Sequence, residues 1–160
     1  MFTTIVAVLG TLLGVVVTGV FQARTTSRAD IQAREAELRR ERLAAITDLA
    51  DTITAHRIAM YRRGDARLKG RSDDHVEELR AISHDTRREV TPPLTRLRVL
   101  IQDPAVREAA DAMVTATYGM RRSDGTTDAT LTLAGLTAAR QAAVDAHDAF
   151  VDAAAHYLAA

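Results

Sequence analysis

The chain has 160 residues, 21 Lys+Arg against 21 Asp+Glu, and no cysteine. The balanced charge argues against a dedicated nucleic-acid surface, which normally carries a basic excess, and the lack of cysteine excludes disulfides and thiolate metal sites. Beyond an apolar opening, the remaining length suits one domain.

That opening reads MFTTIVAVLGTLLGVVVTGVFQAR, with no charged residue from Phe2 to Ala23. As an α-helix this stretch is long enough to cross the roughly 30 Å hydrocarbon layer of a bilayer. A cleaved signal peptide would have a basic start and small residues before the cut, and a soluble core helix is rarely apolar on every side. The exit reads Val20, Phe21, Gln22, Ala23 instead. Residues 1–23 are therefore expected to be an uncleaved transmembrane anchor, with a signal peptide or a buried helix as the alternatives. Arg24, Arg28, Arg34, Arg39, Arg40 and Arg42 all follow the span. By the positive-inside rule they place the N-terminus outside and residues 24–160 in the cytoplasm, on a membrane crossed once; the alanine- and arginine-rich usage looks like that of a GC-rich bacterial genome, which makes this the inner membrane.

Gly10 and Gly14 form a G-x-x-x-G pair that Thr18 extends. Small residues at this spacing share one helix face and allow two spans to pack closely, which points to a homo-oligomer.

Downstream, apolar residues recur at helical spacing and strand-like alternation is nearly absent. A long amphipathic helix is predicted over residues 24–68, its stripe carried by Leu43, Ile46, Leu49, Ala50, Ile53 and Met60. A coiled coil with a partner chain is the alternative shape for this helix, although clean heptads are missing. Gly64 and Gly70 bracket the expected break, and Ser72 is the candidate N-cap of the next helix. That helix spans 73–102, with Val76, Leu79, Ile82, Thr86 and Val90 inward and a kink at Pro92 and Pro93 where Thr91 can cap a restart.

Asp103-Pro104 is a cap followed by a first-turn proline, opening a helix over 104–120 with Val106, Ala109, Ala110, Met113 and Thr117 on one face. The polar run from Arg121 to Asp128 reads as a loop. The last helix, 129–159, should bury Leu136, Ala143, His147, Phe150, Ala154 and Tyr157. Such stripes bury one another in an antiparallel bundle, giving an all-α fold: one N-terminal transmembrane helix, a long amphipathic helix and a helical bundle.

Chemical motifs are sparse. Asp148, Asp152 and His156 lie four apart on one helix face, but three such residues on a single alanine-rich helix usually form a solvated face. His75 and Glu78 stand in the reverse of the Glu-x-x-His order of di-iron bundles. Ser83-His84-Asp85 cannot form a catalytic relay, because adjacent helical positions point apart. No glycine-rich phosphate loop is present. No enzyme activity, metal or cofactor is expected on these grounds.

The segments HRIAMYRRGDARL (56–68), SHDTR (83–87), PLTRLRVLIQDPAVREAADAM (93–113) and AHDAFVDAAAHYL (146–158) resemble the KilB-type plasmid spread proteins of actinobacteria, small membrane-anchored helical proteins. The resemblance covers nearly the whole chain. It implies a membrane-associated role in spreading plasmid DNA in the mycelium after conjugation, with DNA-transfer machinery as partners and no active-site residue to map. The favoured expectation is a non-enzymatic interaction protein held at the lipid bilayer, with an exposed docking surface at Arg57, Arg62, Arg63 and Arg67 and no direct nucleic-acid binding. The alternative is a membrane-tethered sensor or regulatory module binding a small ligand between helices, around Tyr118, His84 and His147.

Overall fold

A computed structural model describes the backbone of residues 2–123 and 132–159 and the side chains of residues 31–121 and 132–159. The described residues form four α-helices and no strand: α1 (Phe2–Leu68), α2 (Asp73–Leu100), α3 (Pro104–Gly119) and α4 (Leu133–Ala159), with a 3₁₀ turn at Met120–Ser123. The chain divides into two units, Met1–Arg40 and Glu41–Ala160.

In the first unit, α1 begins at Phe2 and the side chains of residues 31–40 are exposed, Arg40 pairing with Glu37 one turn earlier at 3.0 Å. Among the residues whose side chains are described, no helix is long and apolar enough to cross a membrane. The predicted span at 1–23, with Gly10, Gly14 and Thr18, lies outside those residues.

The second unit is the bundle, and its helix directions follow from paired contacts. His56 of α1 meets Thr86 of α2, and eight residues earlier Asp48 meets Arg96, so partner numbers rise as α1 numbers fall. Arg57 reaches the Ala143 carbonyl of α4, while Arg42 lies over the Tyr157 ring. α1 therefore runs antiparallel to both α2 and α4.

One core cluster joins Leu49 and Ile53 of α1, Val90 and Leu97 of α2, Val106 and Met113 of α3, and Phe150 of α4. A smaller cluster holds Met60, Met120, Leu136 and Ala143. The stripes predicted for α3 and α4 are those that the fold buries, with Ala109, His147 and Tyr157 half-buried. The stripes of α1 and α2 hold at Ile46, Leu49, Ile53, Met60 and Val90, which are buried, and at Ala50, Val76, Leu79 and Thr86, which are half-buried, and they need correction at two positions. Leu43 is 49% exposed and Ala45 takes the buried place; Ile82 is 45% exposed while Ser83 is 3% exposed. At these two positions the interior takes a neighbouring residue instead, and the polar side chains of His56, Arg63 and Ser83 also enter it.

Gly64 does not break α1; it is buried inside the helix. A Cβ added there would come within 2.9 Å of Leu136 Cδ1, so the missing side chain allows α1 and α4 to approach closely. The break comes at Gly70, whose φ of 60° is the left-handed conformation glycine adopts without strain. Gly70 N–H donates to the Arg67 carbonyl and Arg71 N–H to that of Ala66, both at 3.0 Å, the paired bonds of a Schellman C-cap.

Ser72 occupies the N-cap position of α2 without a side-chain hydrogen bond, and Asp73 and Asp74 place negative charge on the first turn. α2 continues through Pro92 and Pro93 as one helix instead of restarting at Thr91. The missing amides would have served the carbonyls of Arg88 and Glu89, on a face where both residues are exposed and water can substitute. The helix ends at Leu100 rather than at 102. Asp103 caps α3 as expected, accepting from Val106 N–H at 3.0 Å. α3 ends at Gly119, and α4 begins at Leu133, where Thr132 accepts from Gly135 N–H at 3.0 Å.

Candidate functional site: an arginine-lined cavity

A cavity of about 300 Å³ lies between α1, α2 and the end of α3. α1 supplies His56, Met60, Arg63 and Arg67, which fall on one helix face at steps of four, three and four. α2 supplies Arg80, Ser83, His84 and Arg87 at steps of three, one and three. Tyr118 of α3 and Arg121 of the 3₁₀ turn complete the wall.

The wall is ordered by contacts. The Arg87 guanidinium carbon sits 4.5 Å from the centroid of the Tyr118 ring, a cation–π arrangement, and the His56 ring meets Tyr118 edge-on at 5.5 Å. His56 Nδ1 and Thr86 Oγ1 are 3.0 Å apart. The Thr86 hydroxyl lies within donating distance of the Ile82 and Ser83 carbonyls at 3.1 and 3.2 Å, which leaves its lone pairs to accept from a protonated Nδ1. Ser83 donates to the Arg80 carbonyl at 2.8 Å, and Arg80 pairs with Glu77 at 3.3 Å.

His56 is 2% exposed. Burial, then the positive charge of Arg87 and of His84, push its pKa down to about 4, against an opposing hydrogen bond with the Ser83 backbone. At neutral pH it is an uncharged member of a positively charged wall. Five of the ten residues lining the cavity are arginines, and no carboxylate is among them.

The sequence-predicted docking arginines do not form one exposed surface. Arg62 is exposed, but Arg63 is only 6% exposed and Arg57 and Arg67 are half-buried. At about 100° per residue Arg62 points well away from Arg63, whereas Arg67, one turn on, shares the cavity with it. Arg57 turns towards α4 and donates to the Ala143 carbonyl at 3.3 Å; burial and then Arg140 lower its pKa, with Asp148 opposing.

Of the three residues named for a ligand pocket, Tyr118 and His84 line the cavity and His147 does not. His147 lies half-buried on α4, next to an exposed Asp148 carboxylate at 3.4 Å. Ser83, His84 and Asp85 diverge as expected of neighbours on a helix: Ser83 is buried, His84 borders the cavity and Asp85 pairs with Arg88 at 3.3 Å. Asp148, Asp152 and His156 are all exposed, and the described residues hold no cluster of three metal-ligating side chains. His75 and Glu78 form an exposed pair at 3.3 Å.

Sequence reasoning missed Arg80, Arg87 and Arg121 as members of a site. The signal in the sequence was partial: Arg63/Arg67 and Arg80/His84/Arg87 each repeat at helical spacing, which groups them within a helix but not with one another.

A family model described as KilB plasmid transfer protein matches residues 43–158. The chain is 38% identical over 157 residues to Protein KilB of Streptomyces lividans, covering 97% of each. No solved structure matches.

Proposed function

Because the chain belongs to the KilB plasmid transfer family, we propose that it acts in plasmid transfer as a non-enzymatic helical interaction protein anchored in the cytoplasmic membrane. The observation that carries the anchoring is the uncharged run from Phe2 to Ala23 followed by arginines on one side only. The span fixes the chain in the bilayer, N-terminus outside, and presents the bundle to proteins of the DNA-transfer machinery in the cytoplasm. Close packing through Gly10, Gly14 and Thr18 supports self-association of the spans.

The lack of native cysteine makes topology directly measurable. Thr3→Cys is expected to react with a membrane-impermeant maleimide in intact cells, and Ala159→Cys only after permeabilisation, with the protein retained in the membrane pellet through alkaline carbonate. Release into the carbonate supernatant would refute the anchor. In the same membranes, cross-linking is expected to capture transfer proteins on the bundle, and Gly14→Leu to reduce span self-association.

A further inference from the structure

We propose that the arginine-lined cavity is a binding site for a small polyanion with clustered phosphates, either free polyphosphate or the phosphate chain of a nucleotide. Arg63 and Arg67 of α1, Arg80 and Arg87 of α2 and Arg121 beyond α3 converge on it from three parts of the chain. Their convergence is not a consequence of composition, since the chain as a whole carries equal numbers of basic and acidic residues.

Five guanidinium groups lining one space, one of them also paired with Glu77, suit a ligand that carries several negative charges at once. Guanidinium is also the side chain best matched to phosphate oxygens, through forked pairs of N–H donors. Arg87 is held by its stack on Tyr118 and Arg63 by burial, so part of the ordering entropy of binding is already spent. The potential in the cavity is felt by His56, whose proton affinity is lowered in part by Arg87 and His84. A volume of about 300 Å³, at the small end of ligand pockets, admits a few linked phosphates. The Tyr118 ring already carries Arg87 over one face and a T-shaped contact with His56, so the arginines rather than a base-stacking face are what the site offers a ligand.

The test is calorimetric titration of the full chain with inorganic tripolyphosphate at low salt. Saturable binding is expected, weakened at least about tenfold by Arg87→Gln and by Arg63→Gln, while Arg88→Gln, exposed and paired with Asp85 outside the cavity, changes it less than about twofold. No saturable binding, or an equal loss in Arg88→Gln, overturns the proposal. A second measurement on the unmutated chain is independent of variant folding: bound tripolyphosphate should raise the His56 titration midpoint, read by NMR, above its value of about 4 in the free protein. An unmoved His56 at saturation places the anion elsewhere and also overturns it. Tighter binding of a nucleoside triphosphate than of tripolyphosphate identifies the nucleotide as the source, and equal or weaker binding identifies free polyphosphate; both uphold the phosphate chemistry. The proposal does not depend on the membrane anchor or on transfer partners, and stands or falls apart from them.

Discussion

The same helices build two different interiors in the bundle. Around Leu49, Ile53, Leu97, Ile101 and Phe150 the interior is apolar and fully closed. Around His56 it thins to Met60, Met120, Leu136 and Ala143, with Gly64 where a side chain would otherwise stand and arginines where a core would place leucines. Burial of apolar area stabilises by roughly 25 cal/mol per Å², so the first region carries most of the folding energy. The second spends some of it on a cavity and on buried polar groups. A short chain can hold a charged hollow when a neighbouring stretch of the same helices is packed well enough to hold the frame.

The largest effect expected within this contrast is at Phe150. Phe150→Ala should cost about 3–5 kcal/mol in urea unfolding, whereas Val99→Ala, at a side chain 69% exposed, should stay within about 0.5 kcal/mol. Comparable losses would mean that the apolar region is not the frame.

Next is the pH dependence of the polar region. The folded pKa of His56 lies near 4, below the ordinary 6.5, so its contribution is present in full above pH 6.5. Between 6.5 and 4 the unfolded chain takes up a proton that the folded chain refuses, and about 3 kcal/mol is lost across that window. Unfolding midpoints of wild type and His56→Asn at several pH values isolate the effect from the carboxylates. Parallel curves would remove His56 as its source.

Gly64→Val should cost about 2 kcal/mol, because the buried Leu136 side chain must shift to admit the new methyl groups, while Gly119→Ala, with nothing near its Cβ, should be neutral or stabilise by up to about 1 kcal/mol. Thermal melting of the pair reads the close approach of α1 and α4 directly. The smallest change is expected at the exposed Asp48–Arg96 bridge: Asp48→Asn should shift stability by no more than about 0.5 kcal/mol, and less in high salt.

The fold class was legible in the sequence because helical periodicity needs only one chain segment at a time. Val106, Ala110, Met113 and Thr117, or Leu136, Ala143, Phe150 and Ala154, declare a face without reference to any partner. The Asp103-Pro104 start is equally local. What escaped was the register between helices. Ser83, His56 and Arg63 are interior only because α1 and α2 meet at His56 and Thr86, and a residue scale that equates burial with apolarity assigns the place to Ile82 instead. The cavity escaped for the same reason: its arginines are far apart in sequence and become neighbours only once three elements are docked.

The corner between α2 and α3 has its own logic. Arg107, on the first turn of α3, reaches back to the end of α2, where its Nε donates to the Ile101 carbonyl at 2.8 Å and its Nη2 to the Arg98 carbonyl and to Gln102 Oε1. It closes orphan carbonyls from outside their helix, with positive charge at the negative end of the dipole. All of these partners lie within nine residues of Arg107, so the clasp needs little loop closure. Its consequence is one of timing: contacts this short in sequence close at little entropic cost, so the elbow is expected to set ahead of the long-range docking of α1 against α4.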